Sequence, residues 1–591
     1  MILFIVRRMS NVGSRDRCAV CGKAVMSVLC SQCENVAYCG LEHQRSHWPE
    51  HKSLCSPYSI ERTDTLGRYL VATRDIKPGE VILKEKPLVV GPRVDSFPIC
   101  LACYRPLPIY QESRCSRCLV APVCGVHCER QGAHSEPECI LLREAVKEYP
   151  TLLSDQSQIV LPLRCLLKLR NSPTDSKWTS FLELESHEEK RRNTLIWRDH
   201  QLNIVEVLRD HGLLAPTEDA DLVQRICGIL DVNSFEVRGP PSKAGVTERL
   251  RGVYLRAALM AHDCVANTHL AVDDDFQMIV HASIPIPRGH PIYFNYTSAM
   301  QGTWDRQTHL REGKYFDCTC KRCSDPTELE THMSSIWCVR CHEGFVVSTN
   351  PIGTRSPLQE SKQVKTASTN TDWECKTCQH RYRFSLIATT VSLARDLFCD
   401  VDKSDTRAME ALLRKLLRTF TPQHFVILEV KQALVAAYRD MIIRQPNPTR
   451  SVLNRKTELC QDMLPVIQVI EPGISRLKGI ALYELQDSIV KLAIRDMEAG
   501  NTSKDLLVRL RGAEVSLREA VTQLLYEPTH SPEGQLARIA MQDLKRLRCN
   551  IQHVEKMMTE NGRDHRKSSA ATSGISKKRD GAGRGAGRTK K

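Results

Sequence analysis

No stretch of this 591-residue chain stays apolar for long. Residues 1–6 come nearest, and Arg7 and Arg8 cut that run off. Six residues are fewer than the ~7–15 of a signal-peptide core or the ~20 of a membrane span. The expected setting is therefore the cytoplasm and nucleus, without membrane contact. A broadly basic surface is also lacking. The net charge is +14, but residues 562–591 hold ten Lys or Arg against two Asp, so +8 lies there and +6 is spread over the other 561 residues. Nucleic acid contact is expected only through this basic tail, with an affinity that falls steeply with salt. Cys2His2 spacing is missing too, which excludes a finger whose helix reads a major groove.

Cysteine is what the chain has in quantity, with 26 in all. In a reducing compartment these are not expected to form disulfides. Cys165, Cys227, Cys399, Cys460 and Cys549 stand apart as core or surface thiols, and the other twenty-one fall into groups with metal-ligand spacing. The first group is Cys18, Cys21, Cys30, Cys33, Cys39, His43, His51 and Cys55. Eight ligands suit two four-coordinate zinc ions. Cys100, Cys103, Cys115, Cys118, Cys124, Cys128, His134 and Cys139 repeat that pattern. Cys318, Cys320 and Cys323 supply three thiolates, one short of a closed site, and Cys264 is the natural fourth. Finally, Cys338-x2-Cys341 and Cys375-x2-Cys378 suggest a zinc ribbon across a polar loop at 348–371, expected to be mobile.

The organising stretch is 251–323. It holds Ala261-His262-Asp263-Cys264-Val265-Ala266-Asn267, then Ile292-Tyr293-Phe294-Asn295-Tyr296, then the cysteine triplet. An alternating strand at 278–284 and a Pro287-Arg288-Gly289 turn separate the first two. Upstream, 68–73, 81–84 and 87–90 read as strands around a Lys77-Pro78-Gly79-Glu80 turn. Residues 140–250 read as mostly helical, with apolar periodicity at 152–171 and 193–214. From 385 to about 558 the pattern is successive amphipathic helices, as in Leu412-Leu413-Leu416-Leu417 and Leu510-Ala513-Leu517-Ala520-Leu524. No strict 34-residue repeat is visible there.

The order of these pieces resembles the SET domain of protein-lysine methyltransferases. Tyr38, Gln44 and Trp48 around the first cluster look like a MYND finger, and a MYND finger inserted into SET resembles the SMYD family. The extra N-terminal finger, the run at Lys314 and the ribbon look like the arthropod SmydA branch. The implied fold is α+β and multidomain: a zinc-rich split SET β-fold with MYND fingers and a tetratricopeptide-like C-terminal helical array. Its expected parts are an N-terminal extension (1–17), MYND finger 1 (18–55), SET N-terminal part (59–99), MYND-type finger 2 (100–139) and helical insert (140–250). The SET C-terminal part (251–300), post-SET cluster (301–325), ribbon (334–384), helical domain (385–560) and a disordered basic tail (561–591) follow. In MYND fingers the ligands interleave. That implies Cys18, Cys21, Cys39 and His43 on one ion and Cys30, Cys33, His51 and Cys55 on the other. In the second finger it implies Cys100, Cys103, Cys124 and Cys128, then Cys115, Cys118, His134 and Cys139.

The resemblance also implies a methyl donor, S-adenosylmethionine, held by Gly67, Arg68, Asn233, His262 and Phe316, with Tyr296 orienting a substrate lysine. A helix-end cap is the other reading of Asn233. Lysine attack needs a neutral amine, although its ordinary pKa is ~10.4, so the site must desolvate it in a narrow apolar channel. Several positions depart from the family pattern. Ala261 stands for Asn, Asp263 for Ser, Ala266 for Pro, and Gly289-His290-Pro291 for Gly-Glu-Glu. Lys314 takes the place of a second channel Tyr, and Tyr315 comes one residue late, facing the other way. Two expectations follow. One is a lysine methyltransferase acting on a histone or non-histone protein. The other is a weak or inactive SET scaffold, likewise monomeric, whose MYND fingers bind proline-rich partners.

Overall fold

The computed structural model describes residues 17–24, 28–30, 36–93, 98–108, 113–130, 132–134, 136–145, 157–242, 245–352, 373–445, 447–499 and 504–575, excepting the side chains of 53, 54 and 560–575. Cys33, most of the 348–371 loop, residues 1–16 and the tail beyond 575 lie outside the described residues. Two compact units result. The first comprises Met1–Leu386 with Gln468–Ser475 and Glu527–His530, and the second takes the remaining helices.

In the first unit, β1 (Val28–Leu29) and β2 (Ala37–Tyr38) pair within finger 1, ahead of the Leu41–Cys55 helix. Next come β3 (Tyr58–Thr63), β4 (Gly67–Ala72), β5 (Val81–Glu85) and β6 (Val89–Pro92). The last three match the expected strands within two residues. β3 was not expected, because five of its six residues are exposed and it carries no alternating apolar face. Its pairing with β4, Thr63 opposite Gly67, is what makes it a strand.

The insert is helical, as its periodicity requires. Val160–Asn171 buries eight consecutive residues, and Ala220–Asn233 buries Val223, Ile226, Ile229 and Leu230. Between them the helix expected over 193–214 is interrupted. A wide π turn at Gln201–Glu206 separates Leu195–His200 from Val207–Asp210. Hydrophobic period does not distinguish a π turn from an α turn over so few residues.

Chain segments far apart in sequence then complete the sheets. β7 (Ser234–Arg238) and β8 (Arg249–Val253) join β6 in the order β6-β8-β7. β9 (Ala261–His262) precedes β10 (Thr268–Val272) and β11 (Met278–Ala282), and the latter two form the sheet β10-β11-β5. Leu83 faces Val280 and Val89 faces Val253 across these pairings. Met278, Val280 and Ala282 point inward to a core shared with Leu70, Ile82, Tyr254, Ile286 and Ile292. β12 (Tyr293–Phe294) runs parallel to β9, with Tyr293 opposite Ala261 and Phe294 opposite His262. The ribbon forms a four-stranded sheet from β13 (Ile336–Trp337), β14 (Phe345–Ser348), β15 (Trp373–Cys375) and β16 (Arg381–Tyr382).

The second unit is helix after helix: Thr406–Leu416, Phe425–Arg444, Arg450–Ile470, Arg476–Glu498, Lys504–Leu524 and Pro532–Ile575, preceded by the helix beginning at Phe384. Leu510, Ala513 and Leu517 meet Leu544, Leu547 and Ile551 in one buried cluster. The last helix continues to Ile575, beyond the expected start of the disordered tail at 561. Among the described residues no helix is long and apolar enough to cross a membrane.

Candidate functional site

Among the described residues, five of the groups whose ligand atoms lie within 4.8 Å of one another consist of candidate zinc ligands. They are Cys18, Cys21, Cys39 and His43; Cys100, Cys103, Cys124 and Cys128; Cys115, Cys118, His134 and Cys139; Cys264, Cys318, Cys320 and Cys323; and Cys338, Cys341, Cys375 and Cys378. Three of these groups bring together residues of the two fingers in the interleaved order, and the fourth sets Cys264 beside the Cys318, Cys320 and Cys323 triplet. For the sixth, Cys30 and Cys55 lie 3.5 Å apart and His51 is buried in the same finger. The spacing of the sulfurs identifies the chemistry. Cys103–Cys124 is 3.5 Å, Cys338–Cys378 3.6 Å, Cys21–Cys39 3.7 Å and Cys115–Cys139 3.8 Å. A disulfide requires ~2.05 Å. Sulfur ~2.3 Å from a tetrahedral zinc ion gives edges of about 3.8 Å. The thiol clusters fit zinc.

Two buried networks brace these ligands, and neither was read from the sequence. His134 turns one ring nitrogen toward Cys118 and the other onto Glu138 at 2.8 Å. Glu138 is itself clamped by Arg164 at 2.7 Å. Such an outer carboxylate fixes the ring's orientation and tautomer. Arg306 donates to Cys264 and Cys323 and pairs with Glu328 at 2.8 Å; Arg322 shares that carboxylate at 2.9 Å.

The 261–267 turn is tied to β12, which leads into Tyr296 two residues beyond its end. Asn267 donates to the Pro291 carbonyl and accepts from the Tyr293 amide, and Thr268 donates to the Tyr293 carbonyl. His262 accepts the Tyr296 amide on Nδ1 at 3.0 Å and faces the Cys264 sulfur with Nε2 at 3.3 Å. Burial pulls the ring down to about 4, so it is neutral, with its proton on Nε2. Both nitrogens are thus engaged, and the expected His262 contribution to a cofactor site is restricted to backbone and ring face. Ala261 packs in an apolar cluster with Tyr69, Val71 and Tyr293, filling the space that an Asn would make polar.

The Tyr296 hydroxyl donates to the Met260 carbonyl, and burial raises it well above the ordinary phenol range. Its ring lies 5.1 Å from His262 and 6.3 Å from Phe294, and edge-on to Phe316 at 6.4 Å. Phe235 continues the aromatic wall 5.8 Å beyond Phe294. Phe316 is partly exposed and stands 5.8 Å from His262.

The remaining sequence candidates are placed as follows. Gly67 occupies a left-handed turn at φ 66° with open space where a Cβ would be. Arg68 is held by Glu183, through its carbonyl at 2.7 Å and its carboxylate at 3.2 Å. Asn233 ends the Ala220–Asn233 helix, and its amide nitrogen caps the Ile229 carbonyl and reaches the Glu185 carbonyl. Both readings of Asn233 are accommodated, because the cap uses only the NH2 group and leaves Oδ1 as an acceptor. Tyr315, at φ 63°, turns away to pack on His187 at 5.0 Å. Lys314 turns inward instead. Its Nζ donates to the Val232 carbonyl at 2.5 Å and stands 5.7 Å from the Tyr296 ring centre.

Family comparisons agree with this geometry. The MYND finger model matches residues 18–55, and the SET domain model matches residues 67–297, a span that includes the second finger. SET domain-containing protein SmydA-8, isoform A, of Drosophila melanogaster is 26% identical over 440 residues, covering 73% of this chain and 88% of that protein. Histone-lysine N-methyltransferase ASHR1 of Arabidopsis thaliana is 23% identical over 442 residues, covering 71% of this chain and 83% of that one. Human histone-lysine N-methyltransferase SMYD3 is 26% identical over 286 residues, covering 45% of this chain and 62% of its own. Fold and site define a zinc-rich SET-domain protein with MYND fingers. Within that class the chain carries a MYND finger and a SET domain and is similar to the SmydA-8 and SMYD3 proteins.

Proposed function

We propose that this chain is a protein-lysine N-methyltransferase that uses S-adenosylmethionine on a histone or non-histone protein. The observation that carries the reading is the Tyr296 hydroxyl. Because it donates to the Met260 carbonyl, its lone pairs are left to accept from an amine beside a wall of aromatic rings. Such a wall excludes water and favours the neutral amine that methyl transfer requires.

The residues around it fit the donor. When bound, S-adenosylmethionine supplies a methyl group on a positively charged sulfur. Asn233 Oδ1 is an acceptor of the kind an ammonium group needs, and the partly exposed Phe316 ring beside His262 offers a face for a purine. Gly67 leaves room at the turn, and Arg68 is positioned by Glu183. Tyr296 orients the amine, while the 261–267 turn, fastened by Cys264, holds the backbone of Tyr296 through His262.

A second reading is favoured by one specific observation: the zinc-type clusters are assembled while Lys314 stands in the amine region. In it, the protein is a scaffold whose MYND fingers bind proline-rich partners in cytoplasm and nucleus, as a monomer, with the basic tail free for polyanions. Calorimetric titration of zinc-loaded, reduced protein with S-adenosylmethionine separates the two. Micromolar binding supports the enzyme. Absence of binding in folded protein with about six zinc ions per chain overturns it and leaves the scaffold.

A further inference from the structure

Lys314 ends the Thr303–Gly313 helix, and its stem carries the amine inward to the C-terminal end of Ala220–Asn233. There Nζ donates to the Val232 carbonyl at 2.5 Å and the Asp231 carbonyl at 3.4 Å, and it lies over the Tyr296 ring. Among the described residues no carboxylate pairs with it. Burial pulls the amine down to about 8, only partly opposed by the Asp231 charge. Helix-end carbonyls and a phenol face are the partners that an amine accepts in an apolar channel.

The position matters as much as the contacts. Val232 immediately precedes Asn233, and Phe316 follows Lys314 by two residues. The amine is thus bracketed by two residues assigned to the donor and faces the one assigned to orient an acceptor. A neutral amine has two hydrogens and one lone pair. Two carbonyls take the hydrogens, and the lone pair is left for a carbon electrophile.

We propose that Lys314 is this chain's own methyl acceptor, an internal lysine held where a substrate lysine would otherwise enter. The inference rests on the methyltransferase reading above. Nζ forms a bond to the methyl carbon of a sulfonium donor as the carbon–sulfur bond breaks. The sulfur keeps the bonding pair and leaves as a neutral thioether, and the extra proton on nitrogen passes to solvent. Charge and atoms balance with no further reactant. The methyl group replaces an N–H, so the product loses one of the two carbonyl bonds.

The test uses full-length, zinc-loaded protein in two measurements. The first is incubation with S-adenosylmethionine followed by mass analysis of the chymotryptic peptide that contains Lys314. The expected result is a mass gain of one methyl group on Lys314 in the wild type, at a rate independent of protein concentration, and none in Lys314→Arg. The second is calorimetry on Lys314→Met, which keeps length and removes the amine. Near pH 7 the resident ammonium repels a sulfonium. The variant is therefore expected to bind S-adenosylmethionine several-fold more tightly than the wild type, with unchanged affinity for the neutral thioether S-adenosylhomocysteine.

Donor binding without methyl on Lys314, and with no change in the sulfonium-to-thioether preference, overturns the inference and leaves the methyltransferase reading standing. Absence of donor binding in both proteins overturns that reading and the inference with it.

Discussion

Arg306 donates from Nε to the sulfur of Cys264 across 3.2 Å, with both side chains fully buried. Four thiolates around a divalent ion leave a net charge of −2, and this guanidinium lies directly against it. Glu328 in turn accepts from both Arg306 and Arg322. Removing one member leaves buried charge without a partner. Arg306→Met is therefore expected to cost about 3–5 kcal/mol of unfolding free energy and to lose zinc from this cluster first in a chelator titration. Urea denaturation and metal analysis check it. Unchanged stability with full zinc retention contradicts the network's role.

Glu138 plays the equivalent part in the second finger, between His134 and Arg164. Glu138→Ala is expected to weaken zinc binding there by roughly 10–100-fold. Competition against a chromophoric chelator reads that change, and an unaltered competition curve refutes it.

Cys264 is the tie between the 261–267 turn and the post-SET cluster. Cys264→Ser is expected to release one zinc ion per chain, counted by native mass spectrometry, and to abolish S-adenosylmethionine binding, because the turn that holds β12 and Tyr296 is then untethered. Retention of the full zinc count shows that three thiolates suffice.

Lys314→Tyr clears the amine and offers a phenol in its place. Transfer from S-adenosylmethionine to lysines of added core histones is expected to rise by at least roughly tenfold, the equivalent of about 1.4 kcal/mol of barrier. Tritium incorporation measures it. Equal rates for variant and wild type show that another position limits external transfer.

Self-transfer to Lys314 depends on the free amine. The groups that face it are Asp231 from the insert helix, His187 beside that helix, and His309 from the helix before the cysteine triplet. Burial lowers both histidines, so they are neutral before the amine deprotonates, and the remaining titration there is that of Lys314 itself. Its neutral fraction rises as pH increases toward about 8 and then levels. The initial rate of Lys314 methylation is expected to grow roughly tenfold per pH unit below that value and to flatten above it. A rate indifferent to pH between 6 and 9 rules out the lone pair as the titrating group.

The sequence alone determined everything that depends on short spacing. Cysteine pairs two or three residues apart can reach one ion wherever the chain goes, so the pairs were legible, while which pairs share an ion in the fingers came from the resemblance to MYND. Alternation placed Met278, Val280 and Ala282 on the inner face of β11, and helical period placed Leu510, Ala513 and Leu517 in the helical core. Spacing could name Cys264 as a fourth ligand, although only folding brings it to a triplet more than fifty residues away. The tertiary structure decided the rest. β3 exists through its pairing with β4, not through any apolar pattern of its own. Glu138 and Arg306 became parts of zinc sites through contacts that leave no periodic trace. His262, expected on the cofactor, is turned by its two hydrogen bonds toward Cys264 and Tyr296. Lys314 read as a departure from a family pattern, but the place of its amine was fixed by two carbonyls more than eighty residues upstream. Local propensity carries no information about a contact at that separation. Only the packing of the insert helix against the chain beside the cysteine triplet could supply it.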